Sequence, residues 1–384
     1  MTTPCCPSTP GPAPGPCACG PGTTPLVLSR RINARWADGV VRTAFGDIPR
    51  ARTILSTRDR LGTLRARLGI GRMRYRIPPG LYAVGSPTAD SPVLVSANFK
   101  MSFDRLRSAL PGRDAWMLVL DTRGINVWCA AGKGTFGTDE IVRRVRECAL
   151  DRIVSHRRLV VPQLGAPGVS AHKVHKGCGF RVVYGPVRAS DLPAFLDARM
   201  TATPAMRQVR FTLSDRAVLI PVELVMGAKY ALLVAAAFLL LGGLGPSGYT
   251  LANLRTTGVA SASLVLASFI SAVVLGPALL PWLPGRPFAV KGAALGAGLV
   301  AVGLVYGLPG PGVFGSWLHA AAWALIVPTL ASFVVMNFTG ASTFTSLSGV
   351  LREMRVAVPA QIAGAVAGVG LWMTGLFLPG GLAR

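Results

Sequence analysis

Two kinds of hydrophobic pattern divide this chain. From about Arg74, short apolar runs alternate with amphipathic stretches, whereas beyond about Glu223 long apolar runs follow one another almost without charge. In the first part, strand-like runs fall at Val93–Ser96, Trp116–Asp121, Leu159–Val161 and Phe180–Tyr184. Helix-like stretches follow them at Ser102–Leu110, Thr138–Leu150, Val169–Lys176 and Leu192–Arg199. This alternation predicts an α/β domain with a parallel, doubly wound (Rossmann-like) sheet, whose ligand sits beyond the strand carboxyl ends. Thr138 reads as the N-cap of its helix, with Asp139 and Glu140 at the positive end of the dipole.

In the second part, apolar stretches at 223–244, 256–281, 289–308, 314–338 and 356–379 reach spanning length, about 20 residues for a ~30 Å hydrocarbon core. They predict an all-α, five-helix transmembrane domain over 223–384. Their many Ala and Gly residues suit close helix packing. The first span is the weakest, because Glu223 and Lys229 sit near its start; Lys229 can snorkel to the interface. No charge pair lies deep in a span to mark an ion path, and His319 reads as a packing or interfacial group.

Charge sharpens the division. The chain has 40 Lys and Arg against 16 Asp and Glu, a net +24, yet residues 225–384 hold only seven basic residues and one acidic. Residues 1–224 therefore carry 33 basic and 15 acidic residues, a net +18. No nucleic-acid partner is expected, because no recognition motif or interleaved aromatic stacking platform accompanies the charge. Arginines facing the anionic cytoplasmic leaflet of a lipid membrane fit better. With residues 1–222 inside, the inner loops hold Arg286, Lys291, Arg352 and Arg355, against Arg255 and Arg384 outside. The expectation is a multi-pass protein of the cytoplasmic (inner) membrane, its other domain facing the cytoplasm, where thiols stay reduced.

Residues 1–24 read as a disordered Cys/Pro/Gly-rich tail without the basic and apolar regions of a signal peptide. Its Cys5, Cys6, Cys17 and Cys19 do not have the spacing of a bacterial ferredoxin. Residues 25–73 read as an Arg-rich, partly helical lead-in, and 74–222 as the α/β domain.

The candidate chemistry lies in Asn126-Val127-Trp128-Cys129-Ala130-Ala131-Gly132-Lys133-Gly134-Thr135-Phe136-Gly137-Thr138. It puts a thiol beside an indole shortly after a buried strand, and a free Cys is a soft donor suited to a soft or redox-active metal centre. Gly132–Gly137 also fits Gly-x-Gly-x-x-Gly. A dinucleotide fingerprint, however, follows its strand directly, and here eleven residues separate Leu120 from Gly132. A phosphate loop fails, because Val127 stands where glycine is required and Gly134 follows Lys133. His172 and His175 lie close to Cys178 but lack a fourth zinc ligand; a solvated basic helix is the stronger reading.

The whole string resembles the cap-helix motif of the membrane-bound corrinoid protein of bacterial and archaeal mercury methylation. Tyr75–Pro87, Val93–Asp104, Val161–Gly168 and Phe180–Arg188 look like that family's soluble domain; Thr212–Val225, Pro281–Arg286 and Asn337–Arg355 look like its membrane half. The likeness covers about 75–384 and is most specific in the cap string and Asn337–Arg355. The tail and the Arg-rich lead-in depart from it.

The resemblance implies a corrinoid (cobalamin-type) cofactor with Cys129 as lower axial ligand of cobalt and as the catalytic residue. It implies a corrinoid-binding set of Asn126, Val127, Trp128, Cys129, Ala130, Gly132, Lys133 and Thr135. The turns Ser96-Ala97-Asn98 and Leu164-Gly165-Ala166 are the other expected ring contacts. The implied activity is a corrinoid-dependent methyltransferase that passes methyl from methyl-cobalt(III) corrinoid to inorganic Hg(II), forming methylmercury. Implied partners are a dicluster 4Fe-4S ferredoxin-like reductase and a methyltetrahydrofolate-derived methyl donor system. Two other readings stay open: a corrinoid methyl shuttle in one-carbon and acetyl-CoA metabolism, and a non-catalytic, membrane-anchored cobalamin- or metal-binding protein.

Overall fold

The computed structural model describes residues 36–307, 313–338 and 347–378. The cysteine-rich 1–24 stretch, the start of the lead-in, the middle of Asn337–Arg355 and Arg384 lie outside the described residues. The described chain forms two compact units, 36–56 with 76–207 and 57–75 with 208 onward.

The first unit is a seven-stranded sheet in the order β1-β2-β3-β5-β4-β6-β7. Its strands are β1 (Ala37–Thr43), β2 (Gly46–Ala51), β3 (Gly80–Val84), β4 (Val93–Ala97), β5 (Ala115–Leu120), β6 (Arg158–Val161) and β7 (Arg181–Tyr184). Helix α1 (Thr57–Arg67) falls between β2 and β3 in the chain but groups with the second unit. The sheet's own helices are α2 (Lys100–Ser108), α3 (Val127–Gly132), α4 (Thr138–Glu147), α5 (Leu150–Ile153), α6 (Ala171–Cys178) and α7 (Leu192–Asp197).

The expected parallel, doubly wound sheet accounts for only part of this arrangement. Strands β5, β4, β6 and β7 are mutually parallel, but β3 runs antiparallel to β5 and β1 pairs antiparallel with β2. The sheet is therefore mixed. A parallel pair needs a long crossover, and the β3–β4 connection is a short loop across the amino end of β5. There Ser86 N–H donates to Asp114 Oδ1 at 2.7 Å and Trp116 Nε1 donates to Thr88 O at 2.9 Å.

Alternation along the strands feeds two cores, as the pleat requires. Val93, Val95, Trp116, Leu118 and Leu120 pack on one face with Ala130, Phe136, Ile141 and Val174 of the α3, α4 and α6 region. Leu94, Met117 and Val119 pack on the other with Phe103 and Leu106 of α2 and Phe195 of α7. With both faces covered, β3, β4 and β5 are buried at every residue. A buried ion cluster braces the second face: Asp104 takes Lys100 Nζ at 2.6 Å and Arg107 Nε at 2.8 Å, and Arg107 also donates to Arg52 O.

Helix α4 begins at Thr138, but Gly137 occupies the N-cap position. The Thr138 hydroxyl instead accepts the Ser170 N–H at 2.9 Å, tying α4 to the start of α6. The stretch expected to be one helix to Leu150 breaks at Ala149, whose φ is +44°.

The second unit contains α8 (Leu213–Ala217), α9 (Ile220–Leu241), α10 (Leu251–Asn253), α11 (Val259–Leu279), α12 (Phe288–Tyr306), α13 (Trp317–Asn337) and α14 (Leu347–Phe377). Five helices are long and apolar enough to cross a membrane, over Leu213–Leu241, Leu251–Leu279, Phe288–Tyr306, Trp317–Asn337 and Gly349–Phe377. The first, second and fifth start before the apolar runs, and capped polar turns extend the first two. Thr212 and Asp215 form a capping box ahead of α8, and the Thr250 hydroxyl caps α10. Helices α12 and α13 meet through Gly292-x-x-x-Gly296. A Cβ on Gly292 would lie 2.5 Å from Ala331 O, and one on Gly296 would lie 2.5 Å from Pro328 Cα. His319 bonds through Nδ1 to the Ser316 hydroxyl at 2.8 Å, at the first turn of α13.

Candidate functional site

The site grows from the carboxyl ends of β4 and β5. These neighbouring strands send their chains to opposite faces: β4 into α2 on one side, β5 through Asp121–Asn126 into α3 on the other. A crevice between diverging connections is where doubly wound sheets take ligands.

A side-chain clamp shapes the β5 exit. Asn98, only 2% exposed, sits just past β4. Its Oδ1 accepts from Thr122 N at 3.1 Å and Gly124 N at 2.9 Å, and lies 2.9 Å from the Thr122 hydroxyl. Its Nδ2 donates to Asp121 Oδ1 at 3.0 Å. The turn so held has positive φ at both centre residues, Arg123 (+57°) and Gly124 (+76°), and is closed by Ile125 N to Thr122 O at 3.1 Å. That is the type I′ arrangement, comfortable for glycine and strained for arginine. From behind, Glu140 Oε1 accepts from Asp121 N at 2.8 Å and from Arg144 Nη2 at 2.9 Å, in a largely buried pair.

Helix α3 follows with Asn126 as N-cap, its Oδ1 accepting Cys129 N at 2.9 Å. Ala130 and Ala131 turn into the core with Val127 behind them. Cys129, Gly132 and Lys133 therefore face outward and exposed. Trp128 is half-buried and stands outside both sheet cores. The helix ends at Gly134, whose φ of +77° lets Gly134 N–H reach Ala131 O at 3.2 Å. Thr135 is half-buried, its N–H on Ala130 O at 3.0 Å.

The 163–168 segment supports this helix. Phe136 is fully buried against it, and a Cβ on Gly165 would lie 2.5 Å from Phe136 Cε1. A Cβ on Gly168 would collide with Phe136 O. Only glycine admits that close approach.

The sequence-predicted residues thus separate into two groups. Asn126, Trp128, Cys129, Gly132 and Lys133 come together on the accessible side of the cap segment, with open space beside Gly132. Ser96 is buried within β4 rather than in a turn, and Gly165 is buried beneath Phe136. Asn98 has its amide spent on the turn, so it acts as a strut. Leu164 and Ala166 remain half-buried. Asp121, Thr122 and Glu140 complete the clamp and have no signature in the sequence, because their partners lie about twenty residues away.

Among the described residues, no three His, Cys, Asp or Glu side chains are grouped to hold a metal ion. His172 Nδ1 meets the Ser170 hydroxyl at 3.0 Å, and Cys178 Sγ donates to Val174 O at 3.2 Å. Of the described free thiols, only Cys129 is exposed. Burial pushes the Cys148 thiol up to about 11, with Arg144 opposing and Glu147 adding to the rise. Burial likewise raises Cys178. Among the described cysteines, the accessible thiol is Cys129.

Residues 71–196 match the family described as CO dehydrogenase/acetyl-CoA synthase delta subunit. The matched stretch runs from just before β3 through most of α7 and includes the entire cap segment. Subunit gamma of the acetyl-CoA decarbonylase/synthase complex from Methanopyrus kandleri is 33% identical over 128 residues, which is 33% of this chain and 27% of that protein. The same subunit from Methanosarcina acetivorans is 34% identical over 132 residues, 33% of this chain and 27% of that protein. The corrinoid/iron-sulfur protein large subunit of Moorella thermoacetica is 28% identical over 129 residues, 33% of this chain and 28% of that protein. The chain spans just over a quarter of the length of the curated relatives it matches.

Proposed function

We propose that this chain is a membrane-anchored corrinoid protein of methyl transfer, in which Cys129 is the protein's ligand to cobalt. The observation that carries this reading is the exposed Cys129 thiol, presented by a short capped helix at the carboxyl ends of the sheet. The donor set fits: a lone soft thiol suits a metal whose other positions are filled by a macrocycle. The surface fits too, since Gly132 leaves open space beside Cys129 for a flat ring to approach. The relatives named as corrinoid/iron-sulfur and acetyl-CoA decarbonylase/synthase subunits support the cofactor class.

When bound, the corrinoid supplies a cobalt centre that carries and releases a methyl group. The chain's own residues hold and aim it. Asn126 pins the amino end of α3, Ala130 and Ala131 seat its back on the core, and the Asn98 strut sets its height. Cys129, the exposed thiol on this helix, would hold the cobalt, and a thiolate ligand would tune the metal's electron density, as protein ligands tune other macrocyclic metals. Trp128, Lys133 and Thr135 on the cap segment would hold the ring's edge, with half-buried Leu164 and Ala166 as further contacts.

The acceptor proposed is inorganic Hg(II), on the likeness of the cap string and the membrane helices to the mercury-methylation family. The electrons such a cycle consumes would come from a dicluster ferredoxin-like protein, and the methyl group from a methyltetrahydrofolate-derived donor. The proposed placement is the cytoplasmic membrane, with the α/β domain inside and the division near residues 74 and 222. A second reading, a methyl shuttle serving acetyl-CoA chemistry, is favoured by the names of the matched relatives.

The test loads full-length protein with methylated corrinoid and presents thiol-bound Hg(II). Methylmercury formation that Cys129→Ala abolishes supports the first reading. Methyl delivery to an acetyl-CoA synthase with none to Hg(II) supports the second.

A further inference from the structure

The second unit contains a built cavity that methyl transfer does not use. It measures about 850 Å³ and lies among the amino-terminal half of α12, the second half of α13 and the start of α14. Phe288, Val290, Val356 and Ala360 give it apolar walls, while Ser332 and Gln361, joined Nε2 to Oγ at 2.8 Å, close its floor. At the other end stand the exposed Arg286 and Arg352. Neither guanidinium has an ionic partner among the described residues, whereas nearby Lys291 is spent on Leu280 O and Leu283 O at 3.0 and 2.5 Å. Glu353 also lines the cavity, but its carboxylate accepts Ala289 N–H at 2.7 Å on the first turn of α12. Arg352 and Gln361 are nine residues apart on one helix, roughly 13 Å at 1.5 Å per residue. The cleft thus reaches almost halfway through a ~30 Å hydrocarbon core.

We propose that this cavity binds one anionic phospholipid, its phosphate between Arg286 and Arg352 and an acyl chain along α12 and α14 toward Gln361. Two free cations above an apolar slot match the charge and shape of such a lipid, and basic pockets between membrane helices on the positive side recognise anionic headgroups. The arginines also lie on the side that the charge pattern assigns to the cytoplasm. The proposal rests on the membrane reading of the helices and is independent of the corrinoid site.

The experiment reconstitutes the full chain into vesicles of equal phosphatidylglycerol and phosphatidylcholine, re-extracts it mildly and counts retained lipid by native mass spectrometry. One phosphatidylglycerol per chain is expected. Each arginine near an anionic surface is worth roughly fivefold, so the pair gives an enrichment of about 25-fold over phosphatidylcholine. Arg286→Ala with Arg352→Ala removes that enrichment, the double Lys variant keeps most of it, and Arg255→Ala leaves it unchanged. Equal retention of both lipids, or enrichment that survives the double Ala variant, overturns the site. Displacement of the lipid by excess inorganic phosphate would assign the arginines to a free anion and also overturn it. Retention of neither lipid would overturn the membrane reading itself.

Discussion

Replacing Asn98 with Ala tests whether this buried amide sets the position of the cap helix. The change removes the acceptor of Thr122 N–H and Gly124 N–H, two buried main-chain donors, and the donor to Asp121. An unsatisfied buried donor costs about 1–3 kcal/mol, so leaving two is expected to cost about 2–6 kcal/mol. At about 2–4 °C per kcal/mol for a domain of this size, the α/β unit should melt roughly 4–24 °C lower. The loss is local first, because these bonds hold the turn that feeds α3. Hydrogen–deuterium exchange of the full chain in detergent should speed up across 122–132 while β4 and β5 stay protected. A melting temperature and an exchange pattern both equal to wild type would refute the strut.

Three further outcomes follow from the same geometry. Asp104→Ala strips the shared carboxylate from buried Lys100 and Arg107 and should cost about 3–5 kcal/mol, read as a lowered denaturation midpoint, whereas Asp38→Ala at an exposed pair should cost under about 1 kcal/mol. Arg123→Gly relieves a left-handed backbone at φ +57° and should raise the melting temperature, by an amount corresponding to about 1 kcal/mol; a lower one would contradict the turn assignment. The folded pKa of Cys148 is raised to about 11, so its contribution is present below the unfolded value near 8.5 and is lost as pH climbs through 11. Stability should therefore fall over that alkaline window, less steeply in Cys148→Ala, and peptide mapping after alkylation near neutral pH should find Cys129 modified and Cys148 protected.

The parts of the fold legible in the sequence are those governed by local pattern. Apolar runs disclosed β4 to β7; of these, β4 and β5 are covered on both faces and carry no polar alternation. The five apolar helices were legible from their long apolar runs, the starts of the first two less so, since polar capping turns extend them. Strand β3 was hidden because Gly-Leu-Tyr-Ala-Val is short and hemmed by Pro78, Pro79 and Gly85. The β1–β2 hairpin was hidden because β1 is an edge strand, largely exposed and polar, inside a stretch that reads as Arg-rich. Those three strands turn a parallel sheet into a mixed one.

At the site, the cap string was visible as chemistry, and the thiol it contains is exposed. Its supports were not visible. Asn98 is a short polar residue after a strand, equally suited to touching a ligand or bracing a turn. Only the fold brings Thr122, Gly124 and Asp121 to its amide. Thr138 shows the same limit: its type and position suit a helix cap, yet the backbone of Ser170, remote in sequence, takes its hydroxyl.

The central claim is that Cys129 ligates the cobalt of a bound corrinoid. Its most direct test is the ultraviolet–visible spectrum of the full-length, corrinoid-loaded protein beside Cys129→Ala and Cys129→His. The account predicts a thiolate-type cobalt spectrum in wild type, its loss in the Ala variant and an imidazole-type spectrum in the His variant. Three identical spectra, or no corrinoid retained by the wild-type chain, would contradict it.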